Sequence, residues 1–259
     1  MALPTTFFGW VGFIINEYSD LLIGGLLSTL KIALLGTTIG FLLGLLVAIL
    51  RTIPIEEGDS AVKKALLRIL RGILNVYIEV FRGTPMMVQA MVIYYGSLQV
   101  LGIDMSPGFA GILIVSVNTG AYMAEIIRGG IISIDAGQKE AAYSIGMTHW
   151  QSMVHVILPQ AIRNILPSVG NELIVNIKDS SVLNVISVSE LYFTAKSAAG
   201  TYLKYFETYF IIAVIYLVLT YATSRLLALI ERRMDGPANY VIHGSQSSSK
   251  AAIVVKGGE

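Results

Sequence analysis

The stretch KEAAYSIGMTHWQSMVHVILPQ, residues 139–160, lies between two strongly apolar regions of the chain. It carries too many polar groups to cross a bilayer as a helix. Its apolar residues nevertheless follow helical spacing in two sets, first Ala141, Ala142, Ile145 and Gly146, then Trp150, Met153, Val154 and Ile157. We therefore predict a short helical segment over about residues 135–160, placed at the edge of a membrane protein.

Four residues set the limits of this segment. Asp135 and Glu140 stand near its front, where the helix dipole favours acidic groups. Gly146 costs a helix roughly 1 kcal/mol relative to alanine, so it predicts a turn or a close approach by another backbone. Pro159 either ends this helix or begins the next one.

The composition of the whole chain indicates that lipid is its main solvent. Of the 259 residues, 54% are hydrophobic and 14% are charged, whereas soluble domains carry about 25% charged residues. The absence of cysteine excludes disulfides, thiolate catalysis and cysteine metal sites. The N-terminal residues MALPTTFFGW lack a basic region followed by an apolar core, so no signal peptide is predicted. We expect an all-α integral membrane protein.

Apolar stretches long enough to cross a membrane predict about five transmembrane helices. Their approximate ranges are 21–50, 85–101, 109–127, 161–188 and 209–230. The fourth is expected to be broken, because Pro167, Gly170 and the run KDSS at 178–181 interrupt it. A basic amphipathic helix over 61–81, capped by Asp59 or Ser60, is predicted to start at the cytoplasmic interface.

Lysine and arginine are distributed unequally between the two sides, and cytoplasmic loops collect these residues. One side carries Arg51, Lys63, Lys64, Arg68, Arg71, Arg82, Arg128, Lys139, Arg163, Arg225, Arg232, Arg233, Lys250 and Lys256, and the other carries Lys196 and Lys204. We therefore predict that residues 1–20 are extracellular, that 21–233 form the membrane domain, and that 234–259 form a disordered cytoplasmic tail. The segment 135–160 is then cytoplasmic.

The segment also resembles the signature loop of permease subunits of bacterial ABC importers. The shared pattern is Glu140, Ala141, Ala142, Gly146, Leu158 and Pro159 at the family spacing, with Val156 where isoleucine is usual. EVFRGTP at 79–85, AYMAEIIRGGI at 121–131 and GNELIVNIKDSSVLNVI at 170–186 resemble the polar amino acid branch, of the histidine, glutamine and arginine permease type. The resemblance covers about residues 20–235 and implies a type I ABC importer permease fold.

In that family the loop forms a coupling helix that docks in a groove of the cytoplasmic ATPase. The resemblance therefore implies Glu140, Ala141, Ala142 and Gly146 as ATPase contacts. The other implied partners are a dimer of ABC ATPases, a second permease subunit of the same or a related chain, an extracytoplasmic solute-binding protein and an amino acid. The implied location is the bacterial cell membrane, with the N-terminus outside and the C-terminus in the cytoplasm.

Polar residues within the spans indicate where a substrate passes, since ionisable groups at membrane depth usually face a cavity or a pathway. Asp179 can accept the ammonium of an amino acid, and Ser180, Ser181 or backbone amides can hold its carboxylate. Asn118 and Tyr122 on the third span would add polar and aromatic walls, and similar permeases place an internal site near positions matching Asn118, Tyr122 and Asp179. Alternatively, Asp179 and Ser180 only cap a short helix while Lys178 extends to the surface.

Other chemistries have less support in the sequence. The chain contains no GxxxxGK[ST] phosphate-binding loop, so energy has to come from a separate ATPase. No GxSxG or HExxH pattern and no metal-like histidine spacing occurs, so we predict a non-catalytic subunit without metal, cofactor or nucleic acid. An ion-coupled secondary transporter using Asp179 as a proton site, or a membrane-embedded enzyme, remain the alternatives. Glu125 and Arg128 are one turn apart and are expected to form a structural ion pair.

Overall fold

A computed structural model describes residues 3–55 and 57–234, and its regular secondary structure in those residues is helical. In chain order the α-helices are α1 (Phe7–Glu17), α2 (Ser19–Thr52), α3 (Ala61–Gly83), α4 (Met86–Leu101), α5 (Pro107–Ile132), α6 (Ala136–Ser144), α7 (His149–Ser152), α8 (Leu158–Asp179), α9 (Leu191–Tyr202) and α10 (Tyr205–Met234). A π-helical turn, Met153–Ile157, joins α7 to α8, and a 3₁₀ segment, Ser180–Ile186, follows α8. The predicted all-α class is confirmed. Of the predicted tail, residues 235–259 lie outside the described residues.

The centre of the fold is the parallel pair α2 and α5. Three glycines of α2 allow close approach, because a Cβ built on Gly36, Gly40 or Gly44 would lie 2.4 to 2.7 Å from a side-chain atom of Val115, Thr119 or Met123, respectively. Small residues at such positions let helix backbones pack closely within a membrane. The same contacts bring the C-terminal ends of α2 and α5 to one side of the molecule.

Replacing Gly44 with alanine is expected to lower the thermal stability of the purified protein sharply. The new Cβ would meet the Cβ of Met123 at 2.4 Å and the backbone nitrogen of Ala124 at 2.8 Å, and overpacking of this kind typically costs about 1–3 kcal/mol. The matched control is Gly24→Ala in the same helix, where no atom lies within 4 Å. Size-exclusion profiles after stepwise heating would measure both variants, and equal stability of the two would contradict the close packing.

The remaining long helices alternate in direction around this pair. Ile165 of α8 packs on Gly130 near the end of α5, and Asn176 reaches Thr119 farther back, so α8 runs antiparallel to α5. Leu227 of α10 packs on Gly170, which makes α10 antiparallel to α8. The C-terminal ends of α2, α5 and α10 therefore share one side with the segment 135–160, and α1 lies on the opposite side against Tyr202 and Phe206.

The predicted spans agree with most of the helices. Among the described residues, three helices are long and apolar enough to cross a membrane, namely Ser19–Thr52, Pro107–Ile132 and Tyr205–Arg233. The second span begins earlier than predicted, within α3, because the Tyr77 hydroxyl donates to the carbonyl of Val117 at 2.6 Å near the middle of α5. Helix α4 has 16 residues, so α3 and α4 make this crossing together across the extended residues Thr84 and Pro85.

The fourth span differs from the prediction. Helix α8 continues through both Pro167 and Gly170, so a break at those residues is wrong. Membrane helices tolerate proline because neighbouring groups satisfy the freed backbone, and Gly170 is instead required for the contact with Leu227, which would lie 3.1 Å from an added Cβ. The expected break at KDSS is confirmed, since the backbone changes to a 3₁₀ conformation at Ser180.

Two ion pairs and a helix cap lie on the side of the molecule that carries the segment 135–160. The predicted pair is confirmed, because Arg128 Nη2 lies 2.8 Å from Glu125 Oε2, and Arg51 at the end of α2 also pairs with Glu125. Ser60 caps α3 by accepting the backbone N–H of Lys63 at 3.2 Å. The Arg51–Glu125 ion pair holds the C-terminal parts of α2 and α5 together.

Candidate functional site

The segment 135–160 forms two short helices separated by a tight turn. The Asp135 carboxylate accepts the N–H of Gly137 at 2.7 Å and caps α6. The helix ends at Ser144, and Gly146 just beyond its C-cap has a left-handed φ of 83°. The N–H of Met147 donates to the carbonyl of Ala142 at 3.1 Å, and the N–H of Gly146 donates to the carbonyl of Tyr143 at 2.9 Å. This pair of hydrogen bonds is the Schellman motif. The predicted turn at Gly146 is thus confirmed, and its cause is the positive φ.

The second half of the segment is continuous with α8. Thr148 and Gln151 form a reciprocal capping box at the start of α7, which defines the N-terminus of the helix. The π turn then leads directly into α8, and Pro159 lies in the first turn of α8. Pro159 therefore begins the next helix, and the path from Thr148 to Asp179 is helical throughout.

The surface of the segment is partly apolar. Of the predicted ATPase contacts, Glu140, Ala141 and Gly146 are exposed, whereas Ala142 is buried at 4% exposure. Beside them are three exposed large apolar side chains, Ile145 at 76%, Trp150 at 51% and Val154 at 52% exposure. We call Glu140, Ala141, Ile145, Gly146, Trp150 and Val154 the docking face.

A polar cluster lies at the middle of α5. The Asn118 amide donates to Gln89 Oε1 at 2.8 Å and to the Phe81 carbonyl at 3.2 Å. The Gln89 amide in turn donates to carbonyls of Phe81 and Thr84, at 2.9 and 2.8 Å. These bonds satisfy the backbone where α3 breaks before Pro85. Gln89 was not found from the sequence, because the carbonyls of Phe81 and Thr84 become its partners only where the helix breaks before Pro85.

Tyr122 stands one turn after Asn118 and faces the same break. The guanidinium of Arg82 lies 5.5 Å from the centroid of its ring, within the range of a cation–π contact. The distribution of lysine and arginine along the sequence groups Arg82 with the cytoplasmic cations. In the structure, however, Arg82 lies beside Tyr122, well before the C-terminal end of α5. Arg82 is exposed, so its guanidinium is available to an anionic group.

A second polar cluster ties three helices together. The Asn176 amide donates to Thr37 Oγ1 at 2.8 Å and to Thr119 Oγ1 at 3.0 Å. All three side chains are buried. The Asn176 amide is therefore satisfied within the protein and holds α2, α5 and α8 together.

The end of α8 presents Asp179. Its side chain is exposed and makes no capping bond to the 3₁₀ segment that follows. Ser180 is 0% exposed and donates to the carbonyl of Ile177 at 2.9 Å, so its hydroxyl faces inward. Ser181 is half-buried. Within residues 3–55 and 57–234, no hydrogen bond joins the Asn118 and Tyr122 pair to Asp179, Ser180 or Ser181.

Comparison with known proteins agrees with this architecture. A family model described as binding-protein-dependent transport system inner membrane component matches residues 60–236. The glutamine transport system permease protein GlnP of Escherichia coli (strain K12) is 39% identical over 217 residues, covering 83% of this chain and 93% of the relative. The arginine transport system permease protein ArtQ of Bacillus subtilis (strain 168) is 36% identical over 210 residues, covering 81% and 90%.

Solved structures show the same fold. An amino acid ABC transporter crystallised with histidines superposes with a TM-score of 0.73 at 44% identity, covering 85% of this chain and 96% of that one. The inward-facing MetNI methionine ABC transporter superposes with a TM-score of 0.70 at 21% identity, covering 85% and 99%, and supports the fold alone. These matches confirm the resemblance seen in the sequence. The chain belongs to the family of binding-protein-dependent transport system inner membrane components and is an ABC transporter permease.

Proposed function

We propose that the chain is the permease subunit of an ATP-driven importer that carries a polar amino acid from an extracytoplasmic binding protein into the cytoplasm. The observation that carries the proposal is the helical path that runs unbroken from His149 to Asp179 and includes Trp150 and Val154 of the docking face. A rigid connection of this kind lets a movement imposed at one end displace a charged group at membrane depth. The named roles of the glutamine and arginine relatives support an amino acid as the substrate.

A separate ATPase would bind the docking face. Exposed apolar side chains on a water-facing segment indicate a protein partner, and the chain has no phosphate-binding loop of its own. Glu140, Ala141 and Gly146 would contact the ATPase directly. Ala142 would serve instead by its small size, because it is the buried residue of α6.

The substrate path would combine the two polar regions of the membrane domain. Asp179 would receive the ammonium group, since its carboxylate is exposed and makes no capping bond. Ser181, the backbone around Ser180 and the guanidinium of Arg82 would attract the carboxylate. Asn118 and Tyr122 would form a wall. Because no hydrogen bond joins these groups within residues 3–55 and 57–234, a second permease subunit, identical or related, would complete the path.

The orientation follows from charge and from the shared side of the helix ends. The cation-rich loops lie with the C-terminal ends of α2, α5 and α10, which would face the cytoplasm of a bacterial cell. Helix α1 and Lys204 would face outward. The basic start of α3 would then rest at the cytoplasmic interface.

Transport assays with the purified complex test the proposal. Proteoliposomes containing the permease, its ATPase and its binding protein are expected to take up radiolabelled glutamine, arginine or histidine only when ATP and the binding protein are both present. Omitting either component is the matched control. Uptake driven by an ion gradient without ATP would contradict the proposal and favour a secondary transporter.

A further inference from the structure

Glu190 is a buried acidic residue that the proposed substrate path does not use. Its side chain is 0% exposed and lies between the 3₁₀ segment and α9. One carboxylate oxygen accepts the N–H of Phe193 at 2.7 Å. The other accepts the N–H of Tyr192 at 2.8 Å and the hydroxyl of Tyr216 at 3.2 Å. A carboxylate with three donors is stabilised where an isolated one would be strongly disfavoured.

These bonds complete the N-terminus of α9. The first four N–H groups of a helix have no partner within the helix. Here the N–H groups of Tyr192 and Phe193 donate to the Glu190 carboxylate, and that of Leu191 donates to Thr29 Oγ1 at 3.2 Å. The N–H of Glu190 itself donates to the Val188 carbonyl at 2.9 Å. The negative charge also faces the positive end of the helix dipole. Glu190 thereby joins α9 to α10 through Tyr216, while the backbone N–H of Leu191 joins α9 to α2 through Thr29.

The 3₁₀ segment is held close to this junction. Ser187 ends the segment with a left-handed φ of 61°. The N–H of Val188 donates to Leu183 at 3.4 Å, and that of Glu190 donates to Val188 at 2.9 Å. Leu183, Ile186 and Val188 are buried in a core shared with α2 and α5. The chain between Ser180 and Glu190 therefore has little conformational freedom, and its position depends on both of its ends.

We propose that Glu190 is a positioning residue of the transport path. Its carboxylate fixes the chain that follows the 3₁₀ segment against α9 and α10, and so keeps Asp179 and Ser181 where they meet an amino acid. The inference rests on the proposed function in assigning Asp179 and Ser181 to the path. It involves no proton transfer and no covalent step.

The natural absence of cysteine gives a direct test. A single cysteine introduced as Ser181→Cys in the reconstituted complex reports the position of the segment through its rate of reaction with a water-soluble maleimide. Adding Glu190→Gln is expected to change that rate. In the parent sequence, Glu190→Gln is expected to raise the KM for amino acid uptake about tenfold, as for loss of one hydrogen bond to a charged group, while the maximal ATPase rate stays close to wild type.

Thr208→Val is the matched control, because Thr208 is also 0% exposed but donates only to the Lys204 carbonyl at the start of α10. It is expected to leave both readouts unchanged. If Glu190→Gln lowers thermal stability but leaves labelling and KM at wild-type values, the carboxylate is only structural and the inference is overturned.

Tyr216→Phe provides the same test if the glutamine variant does not assemble. It removes one hydroxyl from the junction, and a changed labelling rate with a raised KM supports the inference, whereas wild-type values of both overturn it. Failure of the proposed function gives a different result. In that case the unmodified complex shows no ATP-dependent uptake of glutamine, arginine or histidine, while the maleimide rates still report whether Glu190 positions residue 181.

Discussion

Gly146→Val is expected to lower ATP-driven amino acid uptake by at least about tenfold, because a left-handed backbone costs a non-glycine residue roughly 1–2 kcal/mol and a β-branched residue more. The φ of 83° at Gly146 sets the Schellman turn that ends α6. Losing that turn would misplace Glu140 and Ala141 relative to Trp150. Uptake into proteoliposomes and the amount of ATPase retained during affinity purification of the complex would both be measured.

Gly102→Val is the matched control for this prediction. Gly102 also has a positive φ, 69°, and like Gly146 it has no atom within 4 Å of an added Cβ, but it lies on the opposite side of the molecule, between α4 and α5. The local strain is similar, so normal ATPase retention is expected. Gly146→Asn is expected to restore much of the uptake, since asparagine tolerates the left-handed region. Wild-type uptake by Gly146→Val, or equal losses in both valine variants, would contradict a docking role.

Asp179→Asn is expected to raise the KM for uptake by about tenfold to a hundredfold, because a hydrogen bond to a charged group contributes about 1.5–3 kcal/mol. The carboxylate is exposed at the end of α8 and does not cap the 3₁₀ segment, so its removal leaves no buried group unsatisfied in the free chain. Uptake rates over a range of amino acid concentrations would give KM and the maximal rate separately.

Asp20→Asn makes the same chemical change at an exposed carboxylate in the first turn of α2 and is expected to leave KM unchanged. Thermal stability should be similar in both variants. An unchanged KM for Asp179→Asn would refute an ammonium-binding role and would favour selection by the binding protein alone.

The membrane helices follow from the sequence where one physical signal dominates. Long apolar runs identify α2, α5 and α10, since about 20 such residues satisfy both the bilayer and the backbone. Local signals were less reliable in α8, where Pro167 and Gly170 indicate a break but contacts with α10 keep the helix continuous. Helix α9 was not predicted, because LYFTAKSAAGTY has no clear apolar period and because its start depends on Thr29, which is distant in sequence, as well as on the adjacent Glu190.

The sequence predicts where the candidate site lies along the chain better than it predicts which of its side chains face inward. The residue pattern around Gly146 indicates the turn, and its positive φ confirms the physical reason. Which face of α6 turns inward depends on packing against the π turn, so the burial of Ala142 could not be read from helical spacing. The inward hydroxyl of Ser180 likewise results from a 3₁₀ backbone that the run KDSS indicates only as a break.

The π turn at Met153–Ile157 connects α7 to α8 and also sets the rotation of α7 about the helix axis relative to α8. In this turn the N–H of Leu158 bonds to the carbonyl of Met153, five residues earlier, which adds one residue relative to an α-helical turn. Each residue of an α-helix turns the chain by about 100°. Gain or loss of a single residue there would thus rotate Trp150 around the helix axis relative to Asp179 while leaving both ends intact, giving the family a simple way to reorient the docking face during evolution.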